Sequence, residues 1–227
     1  VRDLSAMSLG APVQQNDVAG IRDLDVDVAG GALRIVYDDV SEAELDGGGV
    51  GAWTLERRGD TLHVSSPRRS FADWGSGSQA TLTLPRELGR QDLGLHVEVA
   101  GGSIDLSGDY GDVDVTVSGG SATVSGAASA LSLSVAGGSV TAAPDGVDAA
   151  TFEVTGGDLT ADLTGGAPAR TRVDVTAGSA DIGLPDATYR LSSEGPGSID
   201  SSLQTSPTAT PRVEVQATLG SVTLRTT

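Results

Sequence analysis

Catalysis needs an acid, a base or a nucleophile held in position, and this chain offers few side chains for that work beyond its carboxylates. Its only imidazoles are His63 and His96, and it has no cysteine. Each histidine stands between apolar residues, Leu62 and Val64 or Leu95 and Val97, so strand alternation turns it to the outer, solvated face. Without thiols, disulfides and thiolate metal sites are excluded. Asp181 and Asp200 are the carboxylates best placed by type for calcium, but the calcium-binding pattern G-G-x-G-x-D is absent. No catalytic residue, cofactor site or metal site is assigned on these grounds, and the expectation is a non-enzymatic protein that needs no cofactor.

Two stretches could instead recognise a partner. Arg58-Gly59-Asp60 spells an integrin-type tripeptide, although Gly-Asp is also ordinary hairpin-turn chemistry. The segment SPRRSFADWGSGSQ, residues 66–79, sets Arg68, Arg69, Phe71 and Trp74 in a Gly/Ser-rich loop. Arg and Trp are favoured at interaction hot spots, which makes this the candidate interaction loop. Base rates for buried aromatics favour the other reading, in which Phe71 and Trp74 fold down as a core plug.

Charge narrows the partners. Thirty-one acidic residues against fourteen basic ones give a net charge of −17, and every basic residue is arginine. Such a chain repels nucleic-acid backbones and anionic lipid surfaces, so no nucleic-acid partner is expected. No run of eighteen apolar residues occurs, so membrane attachment is expected only through an anchor outside this sequence.

The elements that carry these residues follow from a repeat. VEVAGGSIDL at 97–106 recurs as VTVSGGSATV at 115–124 and LSVAGGSVTA at 133–142. The corner glycines Gly102, Gly120, Gly138, Gly157, Gly178, Gly197 and Gly220 are spaced by 18, 18, 19, 21, 19 and 23 residues. A period near twenty marks stacked repeats. Within a unit, Val113, Val115 and Val117 alternate with Asp114 and Thr116, which is the pattern of a strand with one buried face. A helix would need apolar residues three and four apart and few glycines.

The predicted fold is therefore all-β: a single-stranded, right-handed parallel β-helix, or β-solenoid, with coils of about 18–21 residues, a narrow triangular bore and an N-terminal β cap. Bulky aromatics are not expected inside. The corner serines Ser103, Ser121, Ser139, Ser179, Ser198 and Ser221, with Asp158 in the same column, are expected to bond the corner backbone through their side chains. Asp105, Thr123, Thr141, Thr160, Asp181, Asp200 and Thr223 should form an outward ladder.

Residues 1–20 read as a lead segment, 21–94 as the cap with the first irregular coils, and 95–227 as the regular solenoid. The register slips at YRLSSEGPGSID, 189–200, where corner counting places Glu194 inward. A bulge there would keep Leu191 and Ile199 inside. The last coil, ending VTLRTT, has no cap of its own. It is expected at an open edge or paired with a partner, which makes it the candidate for self-association.

The order LDVDVAGGALRI, GDTLHV, LTLP and then serial V-x-V-x-G-G-S coils resembles the bacterial putative-adhesin β-solenoid family over residues 21–227. The resemblance implies an extracytoplasmic location, at the cell surface or tethered to the membrane. It implies no catalytic residues, and some members look like accessory proteins of envelope-stress signalling. The expected function is thus a surface or envelope interaction module with an unknown protein or cell-surface partner. The alternatives are envelope-stress accessory, end-to-end structural assembly, and a glycan-acting β-helix enzyme. The short coils and scarce arginines within them weigh against the last.

Overall fold

The computed structural model describes residues 13–48, 53–66 and 78–227. The alternating segments all become strands, and the chain is all-β with almost no helix. The N-terminal part holds β1 (Gln14–Asn16), β2 (Asp23–Val28), β3 (Ala32–Asp38), β4 (Ala43–Gly48), β5 (Thr54–Arg58), β6 (Thr61–Ser65) and β7 (Gln79–Pro85). A single helical turn, α1 (Arg86–Gly89), buries Leu88 and leads to β8 (Gly94–Val99) and β9 (Ser103–Ser107). The repeats continue as β10 (Tyr110–Val117), β11 (Ser121–Val135), β12 (Ser139–Asp145), β13 (Ala149–Val154), β14 (Asp158–Asp162), β15 (Arg170–Val175) and β16 (Ser179–Leu184). The chain ends with β17 (Thr188–Glu194), β18 (Ser198–Ser201), β19 (Gln204–Thr205), β20 (Arg212–Ala217) and β21 (Ser221–Thr226).

These strands form two stacks with parallel pairing. One runs β6, β2, β8, β10, the second half of β11, β13, β15, β20, β17. The other runs β7, β3, β9, the first half of β11, β12, β14, β16, β21, β18. At the usual inter-strand spacing, nine rungs span roughly 40 Å. The chain passes from one stack to the other at each glycine corner.

In the middle coils two sides, rather than the expected three, make the turn. Only Gly108 and Asp109 separate β9 from β10, and β11 runs unbroken from one stack into the other. There the third side is reduced to a bend, where Gly108 and Gly126 stack, whereas farther along it persists: seven residues join β14 to β15, Asp145 bridges Thr164, and β19 pairs with the start of β17.

Inward residues line up in columns. Val28, Val99, Val117, Val135, Val154 and Val175 are all at most 1% exposed. In the neighbouring column Val97, Val115, Leu133, Phe152 and Val173 share one register. Phe152 is fully buried there, contrary to the expectation that aromatics are excluded. Ala150, two residues earlier on the same face, is the smallest side chain of its own column, so volume shifts within the rung.

Thr171 interrupts the Ala150 column. It is 0% exposed, and its hydroxyl has no hydrogen-bond partner among the described residues. A buried hydroxyl without a partner costs about 1–3 kcal/mol. Thr171→Val, which swaps the hydroxyl for a methyl, is expected to raise unfolding stability by about 1 kcal/mol in urea titration. Unchanged or lower stability would show that the hydroxyl is not an unmet cost.

The order of rungs departs from the order of the chain at both ends. The first coil, β2 and β3, lies between β6–β7 and β8–β9. The last coil, β20 and β21, lies between β15–β16 and β17–β18. The C-terminal coil is therefore paired on both sides and is not the open edge expected for it. The outermost rung is the irregular one, β17–β18. It presents Ser192, Ser193 and Glu194, all exposed, and then Pro196, and charge with proline is how natural sheets blunt an edge. At the opposite end β4 and β5 pair antiparallel with β7 and β6, and β1 pairs with β4.

That outer rung has no strand bulge. Glu194 faces Gln216 while Ser198 faces Ser221, so three residues turn its corner where the neighbouring rung uses four. The missing residue restores parity: Leu191 stacks on Val213, Ile199 on Val222, and Glu194 points outward. Leu191 and Ile199 are half-buried, as the last layer of the core must be.

The corners also work differently from expectation. Main-chain N–H groups of Ser121, Ser139, Asp158, Ser179 and Ser221 donate to the carbonyls of Gly102, Gly120, Gly138, Gly157 and Gly178, at 2.9–3.0 Å. Among the described residues, the one side-chain bond in this column is Ser179 Oγ to Asp158 Oδ1, 2.5 Å. Backbone stacking, not serine hydroxyls, ties the corners. Gly102, Gly120, Gly138, Gly157 and Gly178 have φ of 87–96°, but Gly197 and Gly220 do not share it, and Gly195 takes that role at 104°.

Candidate functional site

The four residues of the candidate interaction loop or core plug, Arg68, Arg69, Phe71 and Trp74, lie outside the described residues. A different tryptophan closes the N-terminal core. Trp53 is 1% exposed, packs against Gly47, and its carbonyl accepts from Gln14 Nε2.

The Arg58-Gly59-Asp60 tip is a two-residue hairpin turn between β5 and β6, with Gly59 at φ 71°. Its residues are engaged locally: Arg58 pairs with Glu56 at 2.7 Å, and the Asp60 carbonyl accepts from the N–H groups of Arg22 and Asp23. Turn chemistry explains this tripeptide.

Both histidines face outward on one column, in the order His63, Asp25, His96, Asp114. His63 Nδ1 lies 3.1 Å from Asp25 Oδ2, and His96 lies 3.8 Å from both Glu98 and Asp114. Among the described residues no group of three or more His, Cys, Asp or Glu side chains is arranged to hold a metal. Asp181 and Asp200 are not neighbours, because Thr223 of the inserted last coil lies between them. Asp181 is engaged by Arg225, which also bonds Asp162. Burial pulls the Arg225 pKa down, but the bonds to Asp181 and Asp162 outweigh it and raise it overall.

A cluster of four other arginines sets the C-terminal end apart. After residue 90 the sequence has only five arginines, at 170, 172, 190, 212 and 225, against seventeen acidic residues. Arg225 serves the clamp on the second stack. The other four lie together on the outer face of the first stack. Arg170, Arg212 and Arg190 occupy one column on the successive rungs β15, β20 and β17. Arg172 stands in the next outward column, opposite Glu214.

Their compensation is uneven. Arg212 Nη1 reaches Glu214 Oε1 at 3.3 Å, and Arg172 Nη2 lies 3.7 Å from Asp174 Oδ2. Arg170 and Arg190 have no acidic partner among the described residues, and Arg190 Nε is buried without a hydrogen-bond partner. Like charges directly opposite on adjacent strands are destabilising. Beside this column a groove of about 240 Å³ is lined by Arg172, Ser192, Glu194, Glu214 and Gln216, among others. The arrangement can neutralise and orient an anionic group while hydroxyl, amide and carboxylate groups contact its surroundings.

Corner counting hides this cluster. Arg170 and Arg212 each stand nine residues before their corner serines, Ser179 and Ser221, but Arg190 stands eight before Ser198. The count gives Arg190 the wrong parity and points it inward. The one useful signal in the sequence is the scarcity of arginine elsewhere after residue 90.

No family model matches this chain, and no curated protein matches it. Among solved structures, it is similar to a putative cell adhesion protein from Clostridium sporogenes, with 12% identity over 95% of this chain and 98% of that one, TM-score 0.37. It is also similar to a putative adhesin from Bacteroides fragilis, with 12% identity over 95% of this chain and 96% of that one, TM-score 0.40. At that distance neither neighbour transfers a partner or an activity. Among the described residues no helix is long and apolar enough to cross a membrane.

Proposed function

We propose that this chain is a non-enzymatic interaction module, a right-handed parallel β-helix displayed outside the cytoplasm. Its contact surface is the outer face of β15, β20 and β17. The observation that carries the reading is the arginine column Arg170–Arg212–Arg190. On a chain of net charge −17, two of these three arginines lack a counter-charge among the described residues. Stability alone disfavours such a column, so its use is to meet a partner. Rigid strands are well suited to this, since they hold side chains at fixed spacing better than loops do. The polar outer rung at β17–β18 favours a module that ends there over a subunit that stacks into a filament.

The test is retention of purified surface glycans and extracellular proteins on the immobilised chain, with the eluted ligands analysed for chemical change. Saturable retention of unaltered ligand, weakened by Arg172→Glu, is the expected result. Recovery of cleaved or modified ligand would overturn the non-enzymatic reading. Retention indifferent to Arg172→Glu would remove the face from it.

A further inference from the structure

We infer that the column Arg170–Arg212–Arg190 is a binding site for a phosphate group. This rests on the interaction-module reading and names the chemistry that its basic face takes. One carboxylate suffices to compensate one guanidinium, and this surface already pairs Arg212 with Glu214 and Arg172 with Asp174. Three forks on successive rungs, about 4.8 Å apart, offer more donors and charge than another carboxylate can use. A phosphate ester brings three acceptor oxygens and a charge of about −1.5 to −2. Seated over Arg212, it can draw in the long side chains of Arg170 and Arg190 from the rungs on either side, the members that lack an acidic partner among the described residues.

The surroundings limit the ligand's size. Along the same column the rungs before Arg170 carry Ala149 and Ala130, and then Asp112. The basic stretch is therefore three rungs long, roughly 10 Å. Across the face, Asp174, Glu214 and Glu194 flank it. A long polyanion would run onto these carboxylates, so the site fits an isolated phosphate group. That group is either a small free phosphate or a phosphate ester carried on an otherwise neutral glycan.

The test is calorimetric titration of the full chain with inorganic phosphate, phosphorylated dextran, plain dextran and polyglutamate. Phosphate and phosphorylated dextran are expected to bind, while plain dextran and polyglutamate are not. Tighter binding of phosphorylated dextran per phosphate would place the source on a glycan, and equal binding would place it in solution. Arg170→Gln combined with Arg212→Gln should weaken phosphate at least tenfold with no loss of thermal stability. Arg190→Gln alone should weaken it as well, and the exposed Arg170→Gln keeps the result readable if Arg190→Gln fails to fold. Failure of both phosphate ligands to bind at millimolar concentration, undiminished binding by the variants, or a preference for polyglutamate would each overturn the phosphate site. Loss of phosphate binding with continued retention of another surface ligand would leave the module reading standing.

Discussion

Val117→Asp is expected to lower unfolding stability by more than about 4 kcal/mol, enough to leave much of the purified protein unfolded at 37 °C. Val117 is 0% exposed and stacks between Val99 and Val135 in the longest valine column. Removing the valine forfeits about 1.5–3 kcal/mol of burial. The larger loss comes from the carboxylate, which enters a column with no donor or cation beside it and must either stay charged or take up a proton at a cost. The rungs above and below cannot move apart, because the N–H groups of Ser118 and Ala136 are bonded to Val99 and Val117 across the same corner. Thr141→Asp supplies the control. It adds the same charge on the outward ladder between Thr123 and Thr160, where water solvates it. That variant should stay within about 0.5 kcal/mol of the parent. Equal midpoints for the two variants in guanidinium titration would refute the inward assignment of Val117.

The inward and outward assignment was legible because it needs only the period-2 pattern and one fixed point per repeat. Val113, Val115 and Val117 lie inward and Asp114 and Thr116 outward, as the alternation requires. What alternation cannot carry is the order in which rungs stack. Any coil whose columns match can pair with any other, since the side chains at each level are interchangeable in size and polarity. Nothing in RVEVQATLGSVTL announces that it slots between β15–β16 and β17–β18. The physical gain is visible only in three dimensions: each end of the stack is closed by an irregular, polar or antiparallel element, and the regular coils at the ends of the sequence are protected inside. The number of sides per coil was equally hidden, because a two-residue bend such as Gly108-Asp109 and a short third strand leave similar traces in sequence.

The candidate site was less legible, for a related reason. Its residues come from three coils, and two of those coils are exchanged in order. Arg190 moreover reaches the arginine column only because its corner is one residue short. Of the features that stood out in sequence, Arg58-Gly59-Asp60 and the histidines proved to be held by their own neighbours. A tripeptide or a rare residue type draws attention by identity. The arginine column earns it by register, which depends on hydrogen-bond pairing that no local pattern specifies.

Gly120→Ala is the second large effect, and it tests the corner itself. Gly120 has φ 92°, and a Cβ there would collide with the carbonyl oxygen of Gly102 in the rung before it. The left-handed conformation alone costs an alanine about 1–2 kcal/mol. The collision adds to this because it is with backbone, which cannot rotate away as a side chain would. Relief requires the rungs to separate, and that breaks the bonds from Ser121 N–H to Gly102 and from Ser139 N–H to Gly120, at 2.9 and 3.0 Å. Each lost bond costs about 0.5–1.5 kcal/mol, so the expected total is about 2–5 kcal/mol, comparable to emptying a core position. Gly146→Ala isolates the conformational part, because Gly146 also has positive φ, 72°, but nothing lies within 4 Å of its Cβ position. It should lose only about 1–2 kcal/mol. A Gly120→Ala variant no less stable than Gly146→Ala in urea titration would mean that the glycines are needed only for the turn. A gap of a kilocalorie or more would show that they are needed for the stack: each corner must be bare so that the next coil can lie directly on it.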